Sequence, residues 1–294
     1  MDARLETIGG KPVLRVERLL AHPPAKVWRA IREPAQLAHW FPATVEVDGV
    51  TMRFTFPEGG PTGSGEVLES DPPRVFAFRW NEDVLRFELL PCDEGCLLVF
   101  TQVIGAGPLG AARNAAGWAT CLDALDDRLA DRPHTPTTDW LPLLERWVRE
   151  FGLDQGEAEG ARVRFARDLM WRSPDELWAL LTEGARPEVG GPPPARAANP
   201  HVEPGPVTAV EAPRLLEFDS PRGRVRWEFE HDPERGTTVV LTHEVSDRAA
   251  VPTALAAWHV HLELFFAALF GEIRCPWPQD RTEELEAHYR MRTE

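Results

Sequence analysis

The chain has 294 residues and a formal net charge of −15, from 32 Lys and Arg against 47 Asp and Glu. This length exceeds the roughly 100–200 residues of one ordinary domain, so two domains are predicted. The acidic balance, with no basic run, argues against nucleic acid or an anionic membrane as a partner. No apolar stretch reaches the ~20 residues that span a bilayer, and no signal-peptide pattern stands at the start, so we expect a cytoplasmic location.

The first half begins with a strand and a short helix. Apolar and polar residues alternate over residues 13–20, which predicts a half-buried strand. Pro23 and Pro24 suit the first turn of a helix that ends near Ile31. Over residues 44–104, about five short runs separated by turn residues predict an antiparallel meander with one covered face.

A long amphipathic helix is predicted to cover that face in each half. In the first half this helix spans roughly residues 109–130. The apolar stripes, at spacings i, i+4, i+7 and i+11, are Trp118, Leu122, Leu125 and Leu129 in the first half and Trp258, Leu262, Phe265 and Leu269 in the second. Each half therefore has the pattern of an α+β unit, with helices packed on one face of an antiparallel sheet.

Motifs of the first half return in the same order in the second half. The paired segments are residues 24–28 with 174–178, 65–67 with 205–207, 86–88 with 226–228, and 118–122 with 258–262. Chance rarely keeps four blocks in order, so the pattern indicates one fold used twice. The predicted domains are 12–131, a linker with a short helix at 132–160, a diverged second domain at 161–275, and a charged tail helix at 276–294, either solvated or docked.

The second half departs from the first after its short helix. Residues 184–194 are rich in Gly and Pro and cannot form a regular helix. This segment stands where the first half has a piece that would wall an interior cavity. We therefore expect a more open cavity in the second domain, unless residues 192–194 pack tightly over a filled interior.

The order of these motifs resembles the START/Bet v-type (SRPBCC) helix-grip superfamily, and within it the branch named after the homologues of the heat-shock-protein-90 ATPase activator. The segments that carry the likeness are residues 24–31, 40–42, 65–67, 72–74 and 117–125. The resemblance implies two tandem helix-grip domains, each a curved antiparallel sheet wrapped around a long C-terminal helix, with a largely apolar cavity between them. The Asn/Trp-rich motif of the chaperone-activating members is missing from this sequence.

The resemblance also implies a class of function. Many bacterial relatives bind hydrophobic small molecules, and some serve polyketide or enediyne biosynthesis. The leading hypothesis is binding of an elongated hydrophobic metabolite, such as a polyketide or polyene intermediate, without a metal or another cofactor. A polyketide cyclase or aromatase is the alternative from the enzyme class. A protein-interaction module, with Trp140, Trp147 and the tail as its contact surface, is the third.

The candidate ligand-binding residues come from the predicted inner faces of the long helices and sheets. They are Trp40, Phe87, Trp118, Cys121, Leu122 and Leu125 in the first domain, and Trp227, Trp258, His261, Leu262 and Phe265 in the second. His259 and His261 are two residues apart on a helix, about 200° around it, so they cannot serve one site. His261 borders the apolar stripe and is the better candidate, with a hydrogen-bonded boundary histidine as the alternative.

Catalytic and metal motifs are not evident in the sequence. There is no Gly-x-Ser-x-Gly elbow and no glycine-rich phosphate loop, which disfavours hydrolases and kinases. Cys92 and Cys96 flank a turn, and no second Cys or His pair stands at matching spacing, so free thiols and no metal site are expected. The single tyrosine, Tyr289, lies in the tail and is not expected to act in the cavity. The sequence favours a ligand-binding protein over a catalyst.

Overall fold

A computed structural model describes residues 2–57 and 62–293. The chain divides after Phe151 into two compact units. Each unit contains one antiparallel sheet and one 19-residue helix. The α+β fold predicted from the sequence, consistent with two helix-grip domains, is confirmed.

The first unit contains an eight-stranded sheet in the order β1-β2-β8-β7-β6-β5-β4-β3. Every neighbouring pair of strands is antiparallel. Its elements are β1 Asp2–Ile8, β2 Lys11–Leu20, α1 Pro24–Arg32, α2 Pro34–Leu37, β3 Thr44–Asp48, β4 Thr51–Thr55, β5 Thr62–Asp71, β6 Val75–Trp80, β7 Asp83–Cys92, β8 Gly95–Val103, α3 Ala111–Leu129 and α4 Leu141–Glu150.

The second unit contains a six-stranded sheet in the order β11-β12-β13-β14-β10-β9. Its elements are β9 Glu157–Glu159, β10 Arg162–Asp168, α5 Pro174–Thr182, β11 Val207–Glu211, β12 Leu215–Ser220, β13 Gly223–Asp232, β14 Gly236–Val245, α6 Val251–Leu269 and α7 Gln279–Thr293.

The two sheets share one arrangement. Strands β2-β8-β7-β6-β5 of the first unit correspond in order to β10-β14-β13-β12-β11 of the second. The register shifts between Val67 and Glu69 in β5, and between Val207 and Ala209 in β11, at the same place in the repeat. A β-bulge bends its strand, so both sheets are bent at the same point. Strands β3 and β4 have no counterpart among the described residues of the second unit.

The long helices bury the predicted stripes against the sheets. Helix α3 buries all four stripe residues, and α6 buries three, with Leu269 half-buried. Helix α6 is also buried on its other side, because α7 packs against it and buries Leu285 and Tyr289. The tail helix is therefore docked, which the sequence had left open.

Several details differ from the sequence-based prediction. Strand β1, joined to β2 by a turn at Gly9 and Gly10, was not predicted. The described residues between 44 and 104 form six strands rather than about five. The short helix α4 lies in the first unit against α3. The finer domain limits expected from the sequence stay predictions.

No helix in the described part of the chain combines the length and apolar character needed to cross a membrane.

The core of the first unit can be tested with two leucines of opposite exposure. Leu122 on α3 is fully buried, whereas Leu90 on β7 is 47% exposed. We expect Leu122→Ala to lower the free energy of unfolding by about 2–5 kcal/mol, because it leaves a cavity between helix and sheet. Leu90→Ala should change it by less than about 0.5 kcal/mol. Urea unfolding followed by circular dichroism measures both, and equal effects would contradict this description of the core.

Candidate functional site

The first unit contains an apolar pocket between its short helices and its sheet. Its volume is about 10 Å³, which is on the scale of a single water molecule. The residues around it are Ile31, Leu37, Trp40, Phe41, Val45, Met52, Phe54, Phe76, Phe78 and Phe87. Two candidates from the sequence, Trp40 and Phe87, are among them. The indole N–H of Trp40 donates a hydrogen bond to the carbonyl of Ala30 over 2.9 Å, so the lining presents apolar surface.

Phe41 is the hub of the aromatic side chains at this pocket. Its ring centroid lies 5.8 Å from Trp40, 6.2 Å from Phe54, 5.9 Å from Trp80 and 6.0 Å from Trp118. Phe41 and its partner Trp40 stand in the irregular segment between α2 and β3, whereas Phe54 and Trp80 lie on strands and Trp118 lies on α3. The Phe41 amide donates a hydrogen bond to the carbonyl of Leu37 over 2.8 Å, and the four ring contacts hold its side chain.

A chain of hydrogen bonds from β8 and β7 fixes the orientation of the Trp118 indole. The Trp118 indole N–H donates to Gln102 Oε1 over 2.8 Å, and Gln102 Nε2 donates to Asp83 Oδ2 over 2.6 Å. The Gly105 amide donates to the other oxygen of Asp83 over 2.8 Å. Burial raises the pKa of Asp83 against the lowering effect of these hydrogen bonds. Trp118 contacts Phe41 and Phe87 but is not itself part of the pocket lining.

The other three candidates of the first unit lie on α3, where Cys121 is half-buried. Leu122 and Leu125 are fully buried. Burial raises the pKa of the Cys121 thiol to about 12. The thiolate, which is the form that attacks electrophiles or binds metals, is therefore negligible at neutral pH. None of the three is among the pocket-lining residues.

The candidates of the second unit form a packed aromatic cluster. The ring of Trp227 lies 5.9 Å from Trp258, 5.5 Å from His261 and 5.5 Å from Phe265. Leu262 is buried beside them on the same helix. These residues fill the interior where the sequence analysis expected a cavity.

The turn that follows the Gly- and Pro-rich segment contacts this cluster, whereas residues 184–193 are exposed or half-buried. Pro194 is buried, and the turn after it, Ala195–Ala197, directs two carbonyl oxygens inward. Trp227 Nε1 donates to the carbonyl of Ala197 over 3.0 Å, and His261 Nε2 lies 3.0 Å from the carbonyl of Arg196. Pro192 is exposed and Pro193 is half-buried, so the expectation of a more open second cavity stays a prediction.

Two histidines of this core are uncharged at neutral pH. Burial lowers the pKa of His243 and of His261 to about 4. His243 Nδ1 accepts the indole N–H of Trp258 over 3.0 Å. His261 is thus placed as a hydrogen-bonded core histidine, the alternative that the sequence analysis kept open.

A second polar cluster lies between α6, α7 and the turn before β9, and the sequence analysis did not find it. His259, which is fully buried, has Nε2 3.4 Å from Asp154 Oδ2 and 3.3 Å from Glu263 Oε1. Its Nδ1 lies 2.8 Å from the hydroxyl of Tyr289, which accepts the Gly156 amide over 2.9 Å. The one available signal was Glu263 four residues after His259, since residues i and i+4 face the same side of a helix.

The charges of this cluster are strongly coupled. Burial opposes the charged form of His259, but Asp154 and Glu263 outweigh it and raise the pKa of the imidazole. Against burial, His259 and Arg167 lower the pKa of Asp154 to about 2. Burial raises the pKa of Tyr289 to about 12. Both carboxylates are ionised at neutral pH, and the phenol is protonated.

Only part of the chain matches a known protein family. Residues 21–130 match the model of the family described as "Activator of Hsp90 ATPase homolog 1-like protein". This segment runs from the end of β2 to the end of α3 and includes every residue that lines the pocket. No curated protein matches the chain.

Solved structures resemble about half of the chain. A conserved protein of unknown function from Enterococcus faecalis is 17% identical, covers 50% of this chain and 89% of its own, with a TM-score of 0.44. CalU16 from Micromonospora echinospora is 19% identical, covers 51% and 95%, with a TM-score of 0.40. A protein from Mesorhizobium loti is 24% identical, covers 42% and 99%, with a TM-score of 0.36. At these identities and scores the likenesses carry no argument about function.

The neutral core histidines predict a pH dependence of stability. The folded pKa of His243 is about 4, below its ordinary value of 6.5. The unfolded chain therefore takes up the proton first as the pH falls. We expect the free energy of unfolding to decrease from pH 6.5 toward pH 4, by about 3 kcal/mol for this group, and His261 to add a similar loss.

The variant His243→Gln tests this assignment, because its amide oxygen can still accept the Trp258 indole N–H. Its unfolding free energy, measured by urea titration at several pH values, should fall less steeply over that window than that of the unchanged protein. An unchanged slope would contradict a buried, neutral His243.

Proposed function

We propose that the first unit is a ligand-binding domain of the type matched by residues 21–130, and that it binds an elongated hydrophobic small molecule of polyketide or polyene character. The observation that carries the proposal is the aromatic pocket, whose lining residues all lie in the matched segment. We further propose that this binding serves bacterial secondary metabolism.

The chemistry of the lining supports an apolar ligand. All ten residues around the pocket are apolar or aromatic. Burying apolar ligand surface there is favourable by roughly 25 cal/mol per Å². The flat faces of Phe54, Phe76 and Phe78 favour a conjugated or ring-containing ligand, because aromatic groups pack by offset stacking and edge contacts.

The volume of the pocket requires that it opens when the ligand enters. A drug-sized ligand occupies a site of roughly 300–1,000 Å³, whereas this pocket has about 10 Å³. We assign this opening to Phe41, which lines the pocket from the segment between α2 and β3. Moving its ring would break its contacts with Trp80 and Trp118 and enlarge the pocket toward them.

The lining favours binding over catalysis. It contains no acid, base or nucleophile among its described residues. Asp83, behind Trp118, accepts hydrogen bonds from Gln102 and the Gly105 amide, and Gln102 accepts the Trp118 indole N–H. A cyclase would use the same pocket to fold its substrate, so the two functions differ in whether the ligand emerges chemically changed. Trp147 is buried, so it does not belong to an exposed surface that a partner protein could contact.

We assign no ligand to the second unit. Its Trp227 stands at the position of Phe87 in the repeat, and this larger side chain packs against Trp258, His261 and Phe265. The ligand is therefore assigned to one unit of the pair.

Ligand titration with pocket variants tests the proposal. We expect a conjugated polyene carboxylic acid to quench tryptophan fluorescence and to raise the melting temperature of the protein. At a ligand concentration of 100 Kd, the stabilisation is about 2.7 kcal/mol. Phe41→Ala should tighten binding roughly tenfold, because the ligand no longer displaces a buried ring. Val45→Phe should weaken it by filling the pocket.

Leu90→Ala, an exposed change on the same sheet, is the matched control and should bind like the unchanged protein. Equal affinity of all variants, or no binding of the polyene, would contradict the proposal. Mass spectrometry of the recovered polyene separates binding from catalysis, since a cyclase changes its absorption spectrum and its bonding, and a binding protein returns it unchanged.

A further inference from the structure

We propose that Asp154, His259 and Glu263 form a binding site for a divalent first-row transition-metal ion, with Zn²⁺ as the reference ion. The three side chains each offer one ligand atom, and these atoms all lie within 4.8 Å of one another. The site belongs to the second unit and is independent of the ligand proposed for the first.

The spacing of the ligand atoms fits a metal better than hydrogen bonds. His259 Nε2 lies 3.4 Å from Asp154 Oδ2 and 3.3 Å from Glu263 Oε1. Atoms bound about 2.0–2.2 Å from a tetrahedral Zn²⁺ stand roughly 3.3–3.6 Å apart. An N–H···O hydrogen bond is ordinarily about 2.7–3.2 Å long. A single ring N–H also cannot point at two carboxylates at once.

The imidazole nitrogen supplies an independent observation. His259 has no solvent exposure, yet its Nε2 makes no hydrogen bond to any residue that the structure describes. A buried polar atom without a hydrogen bond destabilises the folded state. A metal ion between Nε2 and the two carboxylates would remove that cost.

The surroundings of His259 prepare the ring for a metal. Its Nδ1 faces the hydroxyl of Tyr289 at 2.8 Å, and the Gly156 amide holds that hydroxyl from the other side at 2.9 Å. A proton on Nδ1, donated to the Tyr289 oxygen, leaves the Nε2 lone pair directed at the carboxylates. Such a second partner is the usual way in which proteins fix the tautomer and orientation of a metal-binding histidine.

The types of ligand atom determine which metal ion fits the site. Imidazole with two carboxylates suits Zn²⁺, Mn²⁺ or Fe²⁺ better than Ca²⁺ or Mg²⁺, which prefer oxygen ligands alone. Arg281 Nη2 lies 3.1 Å from Glu263 Oε1 and must withdraw when the ion binds. Arg281 would keep its ion pair with Glu284, whose Oε2 lies 3.1 Å from Arg281 Nη1. The Glu263 side chain is 23% exposed, so the ion reaches the site from that side.

Binding of the ion would join three segments of the second unit. Asp154 precedes β9, His259 and Glu263 lie on α6, and Tyr289 holds the ring from α7. Three protein ligands also leave a fourth position for water. The ion is therefore expected to stabilise the docking of the C-terminal helix.

Metal titration of the full chain tests the proposal. After chelator treatment, the protein should bind one equivalent of Zn²⁺, measured by competition with a chromophoric chelator, and one equivalent of Co²⁺ should produce visible d–d absorption. Zn²⁺ should also raise the melting temperature. Glu263→Gln and His259→Gln should weaken binding at least tenfold, and Tyr289→Phe by roughly tenfold, because it loosens the ring.

His231→Gln, which removes an exposed histidine on β13, is the matched control and should bind as tightly as the unchanged protein. If His259→Gln fails to fold, Glu263→Gln decides, since its side chain is partly exposed. The proposal is overturned if the unchanged protein binds no Zn²⁺, or if Glu263→Gln binds Zn²⁺ with unchanged affinity. In either case His259 is a buried cation held by two carboxylates.

Discussion

One hydrogen bond from a buried tryptophan organises both units. Trp118 on α3 donates to Gln102 on β8 over 2.8 Å, and Trp258 on α6 donates to His243 on β14 over 3.0 Å. The donors and the acceptors occupy equivalent places in the repeat. Because a buried indole N–H requires a partner, this bond sets how the long helix lies on the sheet. The rest of each core packs around that contact.

The two units diverged at the groups behind this bond. In the first unit, the Asp83 carboxylate accepts a hydrogen bond from the side-chain amide of Gln102. Gly223 takes the place of Asp83 in the second unit, and the Nε2 atom of His243 makes no hydrogen bond there within the described chain. Trp227 in place of Phe87 fills the interior of the second unit. The first unit is thus left with the pocket, and the second with a filled core and a buried charged cluster.

Sequence reasoning predicted what local patterns determine. Spacing along α3 and α6 predicted the buried stripes, and turn residues predicted the antiparallel meander. It could not predict that α6 is buried on both sides, because α7 is highly charged and covers α6 with only a few apolar residues such as Leu285 and Tyr289. For the same reason His259 was set aside and His261 preferred. Asp154 and Tyr289 reach His259 from 105 and 30 residues away, and no periodicity connects such positions.

We expect the hydrophobic ligand to bind in the first unit and not in the second. Nuclear magnetic resonance of protein labelled with ¹⁵N at tryptophan tests it most directly, because each indole N–H gives its own signal. Titration with the conjugated polyene acid should shift the signals of Trp40, Trp80 and Trp118, all close to Phe41. The signals of Trp227 and Trp258 should stay in place. Shifts confined to Trp227 and Trp258, or no shift at all, would contradict the account.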